Sequence, residues 1–227
     1  MDEIIKNKNL YIQYDSNVFK NFYSQLFNID YISKEGLIKS VMGGRGKAIE
    51  FEYEGKKYIL KHYIRGGFVK KLSYDKYIFN SLSSTRSVKE YNFLNNLNSK
   101  GLPVPKAAAL KVANGRFTYM SDLITCKIEN EGTLFDFIKN NKMNNDLWNK
   151  LSITLEKFFN ENVYHSDLNS KNIIIDKDEK FYLVDFDNSY FFYNKKFFKK
   201  SIIRLERSIL KLGNYKNEMK KIIKKFS

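Results

Sequence analysis

Residues 163–187 read VYHSDLNSKNIIIDKDEKFYLVDFD. Three parts of this stretch carry chemistry: His165-Ser166-Asp167, then Asn172 five residues after Asp167, then Asp185-Phe186-Asp187 starting eighteen residues after it. Moving a phosphoryl group needs a carboxylate beside the attacking hydroxyl and oxygen ligands for the Mg²⁺ that bridges the nucleotide phosphates. Mg²⁺ is a hard cation, satisfied by one or two protein oxygens while phosphates and water complete its shell. Asp167 suits the first task, and Asn172 and Asp185 suit the second. Between them, Ile173-Ile174-Ile175 and Phe181 to Val184 read as two short apolar strands, with Asp176 to Glu179 as their turn. Such a hairpin returns Asp185 to the neighbourhood of Asn172.

Taken alone, Asp-Phe-Asp is an ordinary acidic turn between buried strands. The full set at this spacing, with both strands legible, is the H-x-D-x-x-x-x-N plus D-F-x pattern of the protein-kinase-like fold. The context that such a motif requires is present around it. The expected fold is therefore α+β and bilobal, with a small antiparallel-sheet N-lobe and a reduced helical C-lobe. Residues 1–36 are expected to be an N-terminal extension, 37–124 the N-lobe, and 125–227 the C-lobe with a basic helical tail.

The extension mixes aromatic and polar residues, among them Tyr11, Tyr14, Phe19, Phe22, Tyr23, Phe27 and Tyr31. A short helix from Asn17 to Phe27 is expected, with a packing role. Residues 37–42, 47–53 and 57–63 read as three antiparallel strands. The turn Gly43-Gly44-Arg45-Gly46 is expected to offer backbone N–H groups to nucleotide phosphates. GGRG is equally an ordinary hairpin turn when read by itself. Tyr58-Ile59-Leu60-Lys61 has the form of the strand that carries a phosphate-binding lysine. Such a lysine is usually held by a glutamate on the next helix. Val88, Tyr91, Leu94 and Leu97 recur at three-residue spacing and predict a helix over 83–98, stopped near Gly101. Glu90 is the only acid on it and is the expected partner of Lys61. His62 is read as a structural imidazole.

Residues 56–71 hold six Lys or Arg and no acid. Arg65, Lys70 and Lys71, around a Gly-Gly pair, are candidates for gripping an anionic acceptor; a plain basic connection has the same composition. Two strands, 107–112 and 116–123, are expected after Gly101-Leu102-Pro103-Val104-Pro105. Tyr119 to Ile124 is expected to form the hinge between lobes. Residues 133–140 and 146–162 read as helices, the second with a core stripe of Leu147, Leu151, Leu155 and Phe158.

The formal net charge is +15, and Lys195 to Ser227 alone carries +10, with twelve Lys or Arg against Glu206 and Glu218. Such a patch attracts phosphates. Phe198, Ile202, Leu205, Ile209 and Leu212 form one face of a helix in this tail, either a core stripe or a membrane-surface face. No stretch has the length of a signal-peptide core or a spanning helix, and a cytoplasmic location is expected. Cys126 is the only cysteine, so an internal disulfide and cysteine-based zinc sites are excluded. No proline follows Pro105, so the Ala-Pro-Glu motif that closes a protein kinase's activation segment is absent. A small-molecule, sugar or lipid acceptor is expected rather than a protein.

The stretches GGRG, YILKHYIRGG, TRSVKEYNFL, GLPVP, VYHSDLNSKNIII, LVDFD and RLERSILK occur in order from Gly43 to Lys211. In these the chain resembles the 3-deoxy-D-manno-octulosonic acid (Kdo) kinases of the lipopolysaccharide kinase family. The resemblance implies ATP-dependent phosphorylation of the 4-hydroxyl of Kdo on a Kdo-lipid A precursor. It also implies work at the anionic cytoplasmic face of a bacterial inner membrane; no nucleic acid and no protein substrate are expected. Carried over residue by residue, it makes Asp167 the group that accepts or orients the acceptor proton and Asn172 and Asp185 the Mg²⁺ ligands. Lys61 then contacts the ATP phosphates, Glu90 holds it, and Arg65 meets an acceptor carboxylate or phosphate. Two positions depart from the protein-kinase pattern: Asn169 stands where a lysine is common, and Asp187 replaces the glycine of Asp-Phe-Gly. The competing readings are a heptose kinase or other kinase-like small-molecule phosphotransferase, a kinase acting on a nucleic-acid-associated protein, and a catalytically silent nucleotide- or nucleic-acid-binding module.

Overall fold

A computed structural model describes residues 1–42, 48–63, 76–194 and 196–226. The chain divides into two compact units, one formed by Met1–Asn95 with Lys106–Lys127, the other by Asn96–Pro105 with Ile128–Ser227.

The first unit is built on one antiparallel sheet. Its strands are β1 (Asp2–Lys6), β2 (Leu10–Asp15), β3 (Ile38–Met42), β4 (Ala48–Tyr53), β5 (Lys56–His62), β6 (Tyr77–Ile78), β7 (Ala107–Asn114) and β8 (Thr118–Cys126). The order across the sheet is β1-β2-β7-β8-β5-β4-β3, with β6 also pairing with β8. Period-two alternation orients β5: Tyr58 and Leu60 are buried, while Lys57 and Lys61 on the opposite face are not fully covered. Ile12, Phe19, Leu26, Phe51, Tyr58, Leu60 and Ile124 share one apolar cluster. Against this sheet unit lie α1 (Ile29–Lys34) and the start of α2 (Arg86–Ser99).

Several expectations change here. The helix expected at Asn17–Phe27 is absent; a single 3₁₀ turn, Ser24–Phe27, precedes α1. The aromatic residues of this stretch pack as a cluster instead, Phe19 stacking on Tyr58 at 4.8 Å and Phe22 on Tyr14 at 4.2 Å between ring centres. Residues 2–15, expected as part of a packing extension, contribute two strands to the main sheet. The hinge expected at Tyr119–Ile124 lies inside β8, whose ladder continues to Cys126, and the first unit ends at Lys127.

The second unit holds α3 (Leu134–Lys139), α4 (Asn145–Asn160), α5 (Lys196–Leu210) and α6 (Lys216–Lys224). Its short strands are β9 (Gly132–Thr133), β10 (Val163–Tyr164), β11 (Ile173–Ile175), β12 (Phe181–Leu183) and β13 (Tyr190–Phe191). β11 and β12 form the hairpin read from the sequence, with Ile173 opposite Leu183 and Ile175 opposite Phe181. The Leu147, Leu151, Leu155 and Phe158 stripe of α4 is buried. So are Phe198, Ile202, Leu205 and Ile209 of α5, which places these four in the core, while Leu212 beyond the helix is only partly buried. Thr133 caps α3, accepting from the Asp136 N–H while Asp136 accepts from the Thr133 N–H.

Candidate active site

In the first unit β5 presents Lys61 between β4 and β8, opposite Ala48 on one side and Leu123 on the other. One face of α2 is anchored by Val88, Tyr91, Leu94 and Leu97, all buried. That anchoring brings Glu90, only 5% exposed, against Lys61. Lys61 Nζ donates to Glu90 Oε2 at 2.9 Å and to Oε1 at 3.2 Å. The Tyr63 hydroxyl donates to Glu90 Oε2 at 2.6 Å. The Lys61 ammonium also lies 5.0 Å from the centre of the Tyr63 ring. The helix that carries Glu90 is itself tied to the N-terminal strand, because Tyr91 donates to Asp2 Oδ1 at 2.9 Å.

His62 is engaged structurally through Nδ1 with Asp122, whose other oxygen receives Lys111 Nζ at 2.7 Å. Gly43, Gly44, Gly46, Arg65, Lys70 and Lys71 lie outside the described residues. Cys126 is partly buried beside the apolar cluster, and burial pushes its thiol above the ordinary value.

In the second unit the loop from His165 to Asn172 is held from four directions. His165 is buried, its ring packed 4.6 Å from that of Phe186. The Asp167 N–H donates to His165 Nδ1 at 3.2 Å, which leaves Nε2 to carry the proton and donate to the Val184 carbonyl at 3.0 Å. One imidazole thus ties the loop to the residue just before Asp185. Asn172 closes the loop from below: its amide nitrogen donates to the Asp167 carbonyl at 2.9 Å. Its backbone carbonyl accepts from the Val184 N–H at 3.0 Å. Asn169 donates to the same Asp167 carbonyl at 3.0 Å and accepts from the Lys171 N–H, so it shapes the turn. The Ser166 hydroxyl donates to the Asp187 carbonyl. Asp185 has a φ of 65°, a left-handed conformation that Asp and Asn tolerate better than most residues.

The fourth direction is α5, whose part the sequence reading missed. Ser201 Oγ donates to the His165 carbonyl at 2.9 Å. Ser208 Oγ lies 2.8 Å from Ser170 Oγ and accepts from the Ser170 N–H at 3.0 Å. Arg204 Nη1 donates to Asp167 Oδ1 at 2.8 Å. Positions 201, 204 and 208 share one helical face, so one side of α5 grips the loop. The only signal in the sequence was the RLERS stretch, which matched a pattern without indicating what it touched.

The donors here are of the kind Mg²⁺ takes. Among the described residues no group of three or more His, Cys, Asp or Glu is gathered as a metal cage. A cation arriving with a nucleotide needs only one or two protein oxygens. Asn172 commits its amide nitrogen to the Asp167 carbonyl, which leaves Oδ1 as its acceptor oxygen. Asp185 carries the other oxygen donor expected from the sequence.

The sheet unit with its Lys–Glu pair and the helical unit with its His-x-Asp loop define the chain as protein-kinase-like. The chain belongs to the lipopolysaccharide kinase (Kdo/WaaP) family, whose model matches residues 34–226. It is 31% identical to a 3-deoxy-D-manno-octulosonic acid kinase of Photobacterium damsela subsp. piscicida, over 92% of this chain and 88% of that protein. The protein of the same name from Vibrio cholerae is 30% identical, over 88% of this chain and 85% of its own. Among solved structures, the Cydia pomonella granulovirus kinase PK-1 aligns with 20% identity and a TM-score of 0.43, over 73% of this chain and 59% of that one. That likeness is too slight to bear on the fold.

Proposed function

We propose that the protein transfers the γ-phosphoryl group of ATP to the 4-hydroxyl of a Kdo residue on a lipid A precursor, in lipopolysaccharide inner-core synthesis. The observation that carries this reading is the single loop in which His165 and Asn172 fix the position of Asp167, in a chain of the Kdo/WaaP family. The names of the relatives at about 30% identity support Kdo as the acceptor.

In this reading Asp167 orients the acceptor hydroxyl and takes its proton as the oxygen attacks phosphorus. The bond from the γ-phosphorus to the ADP oxygen breaks, and the phosphoryl group passes to the sugar. Asn172 Oδ1 and the Asp185 carboxylate would hold a Mg²⁺ arriving with ATP, which would supply positive charge to the phosphate oxygens. Lys61, kept extended by Glu90, places its ammonium for a phosphate oxygen. Positioning and charge neutralisation account for most of the rate. The +10 charge of residues 195–227 supports work beside an anionic membrane surface. No helix of the described residues is long and apolar enough to cross a membrane.

The test is transfer from labelled ATP and Mg²⁺ to a Kdo-bearing lipid A precursor, with a heptosylated core as the comparison. Label on the Kdo 4-hydroxyl is the expected result. Label only on the heptosylated acceptor would make the protein a heptose kinase instead.

A further inference from the structure

Beside Asp167 the second unit opens a groove of about 720 Å³, lined by the outer face of α5. Its volume is in the range of ~300–1,000 Å³ usual for small-molecule sites. Lys200, Arg204 and Arg207 project into it from α5, and Lys211 follows just past the end of the helix. Spacings of four, three and four place them along one side, opposite the buried Ile202 and Leu205. The one carboxylate of the lining is Asp167, already engaged by Arg204 at 2.8 Å. Four cations therefore face one anion, next to the carboxylate assigned to receive the acceptor proton.

We infer that this groove is the acceptor's anion subsite: Arg207, Lys200 and Lys211 bind an oxyanion of the acceptor, and Arg204 turns from Asp167 toward it. The inference rests on the kinase reading given above. Arginine suits the task because its planar fork matches a carboxylate or a phosphate in two parallel bonds. The anion is either the carboxylate of the sugar or a phosphate of the lipid, and both offer the same oxygens to the groove.

The experiment measures transfer kinetics and, separately, calorimetric binding of the Kdo-bearing precursor without ATP, for the wild type, Arg207→Gln, Lys200→Gln and Arg207→Lys. The expected result is an acceptor KM raised about tenfold or more in each neutral variant, from the loss of one charge-assisted bond. The KM for ATP and kcat stay near wild type, and Arg207→Lys recovers part of the loss. An unchanged acceptor KM in Arg207→Gln, with transfer intact in the wild type, overturns the subsite and leaves the kinase reading standing. Binding of the precursor that is lost in Arg207→Gln, without transfer in either protein, keeps the subsite and overturns the kinase reading. No binding of the precursor to the wild type overturns the subsite. Acceptors with the carboxylate reduced, or with the lipid phosphates removed, show which anion the groove holds. Sedimentation with anionic phospholipid vesicles completes the set: vesicle binding lost in Arg207→Gln while acceptor KM is unchanged would assign the face to the membrane and overturn the proposal.

Discussion

The Tyr63 hydroxyl donates to Glu90 Oε2 at 2.6 Å, on the same oxygen that receives Lys61 at 2.9 Å. A buried carboxylate thus holds two donors from neighbouring odd positions of one segment. Glu90→Ala removes the acceptor from both. It should lower stability by about 1–3 kcal/mol, because a buried hydroxyl loses its partner. Turnover should fall about 10²-fold, the cost of letting a positioning group drift by an ångström. Tyr63→Phe should cost only about 0.5–1.5 kcal/mol and leave turnover close to wild type. Thermal melts and steady-state rates on both variants check this, and equal damage from the two would show that Lys61 is not positioned by Glu90.

Asp167→Ala should reduce turnover about 10²–10⁴-fold, the usual contribution of a general base. Asp167 is half exposed, so the fold should be retained. Circular dichroism and rates measured on the same sample test the assignment, and wild-type turnover in the folded variant would refute it.

Acid should destabilise the protein in part through three carboxylates. Burial raises Asp15 and Glu50, but their bonds overcome it: Lys106 at 2.8 Å and the Asn17 N–H hold Asp15 below its ordinary 3.8, and Lys127 at 2.6 Å and Ser40 hold Glu50 below 4.5. The Thr133 hydroxyl and N–H hold Asp136 below 3.8. A carboxyl depressed in the folded state stabilises above its unfolded value, and that contribution is lost as pH falls through the folded value. Melting temperature should begin to fall as pH drops below about 4.5. In Glu50→Gln the drop should be shallower, starting from a lower plateau. An unchanged acid limb would show that Glu50 does not carry it.

Burial raises the Cys126 thiol above 9.0, and the thiolate is the reactive form. A thiol reagent at neutral pH should label it well below the rate of an exposed cysteine, and denaturant should remove the difference. Rapid labelling of the native protein would contradict the burial.

The elements legible in the sequence were those with strong local patterns. Ile173–Ile175 and Phe181–Leu183 are short apolar runs around an acidic turn, and they pair residue for residue. Val88, Tyr91, Leu94 and Leu97 mark a helix face whatever surrounds it. β1 and β2 gave no such signal: every residue of β1 is exposed, and in β2 only Ile12 and Asp15 are buried. Their existence depends on the edge of β7, nearly a hundred residues away. The aromatic stretch at Phe19 to Phe27 resembled a helix because ring spacing alone does not separate a helix face from a cluster. Arg204 was illegible for another reason. A cation on a solvated helix face looks like its neighbours until the carboxylate opposite is known, and that carboxylate lies 37 residues earlier.

The grip of α5 on the catalytic loop has a consequence for the order in which the protein is made. A ribosome that has released everything through Asp185 has delivered Lys61, Glu90, Asp167, Asn172 and Asp185, but not Ser201, Arg204 or Ser208. The loop then lacks the partners of the His165 carbonyl, the Asp167 carboxylate and Ser170. Activity should therefore appear only after α5 has emerged and docked. A nascent chain stalled with α5 still in the exit tunnel should transfer nothing, and transfer by such a chain would show that the loop holds its own shape.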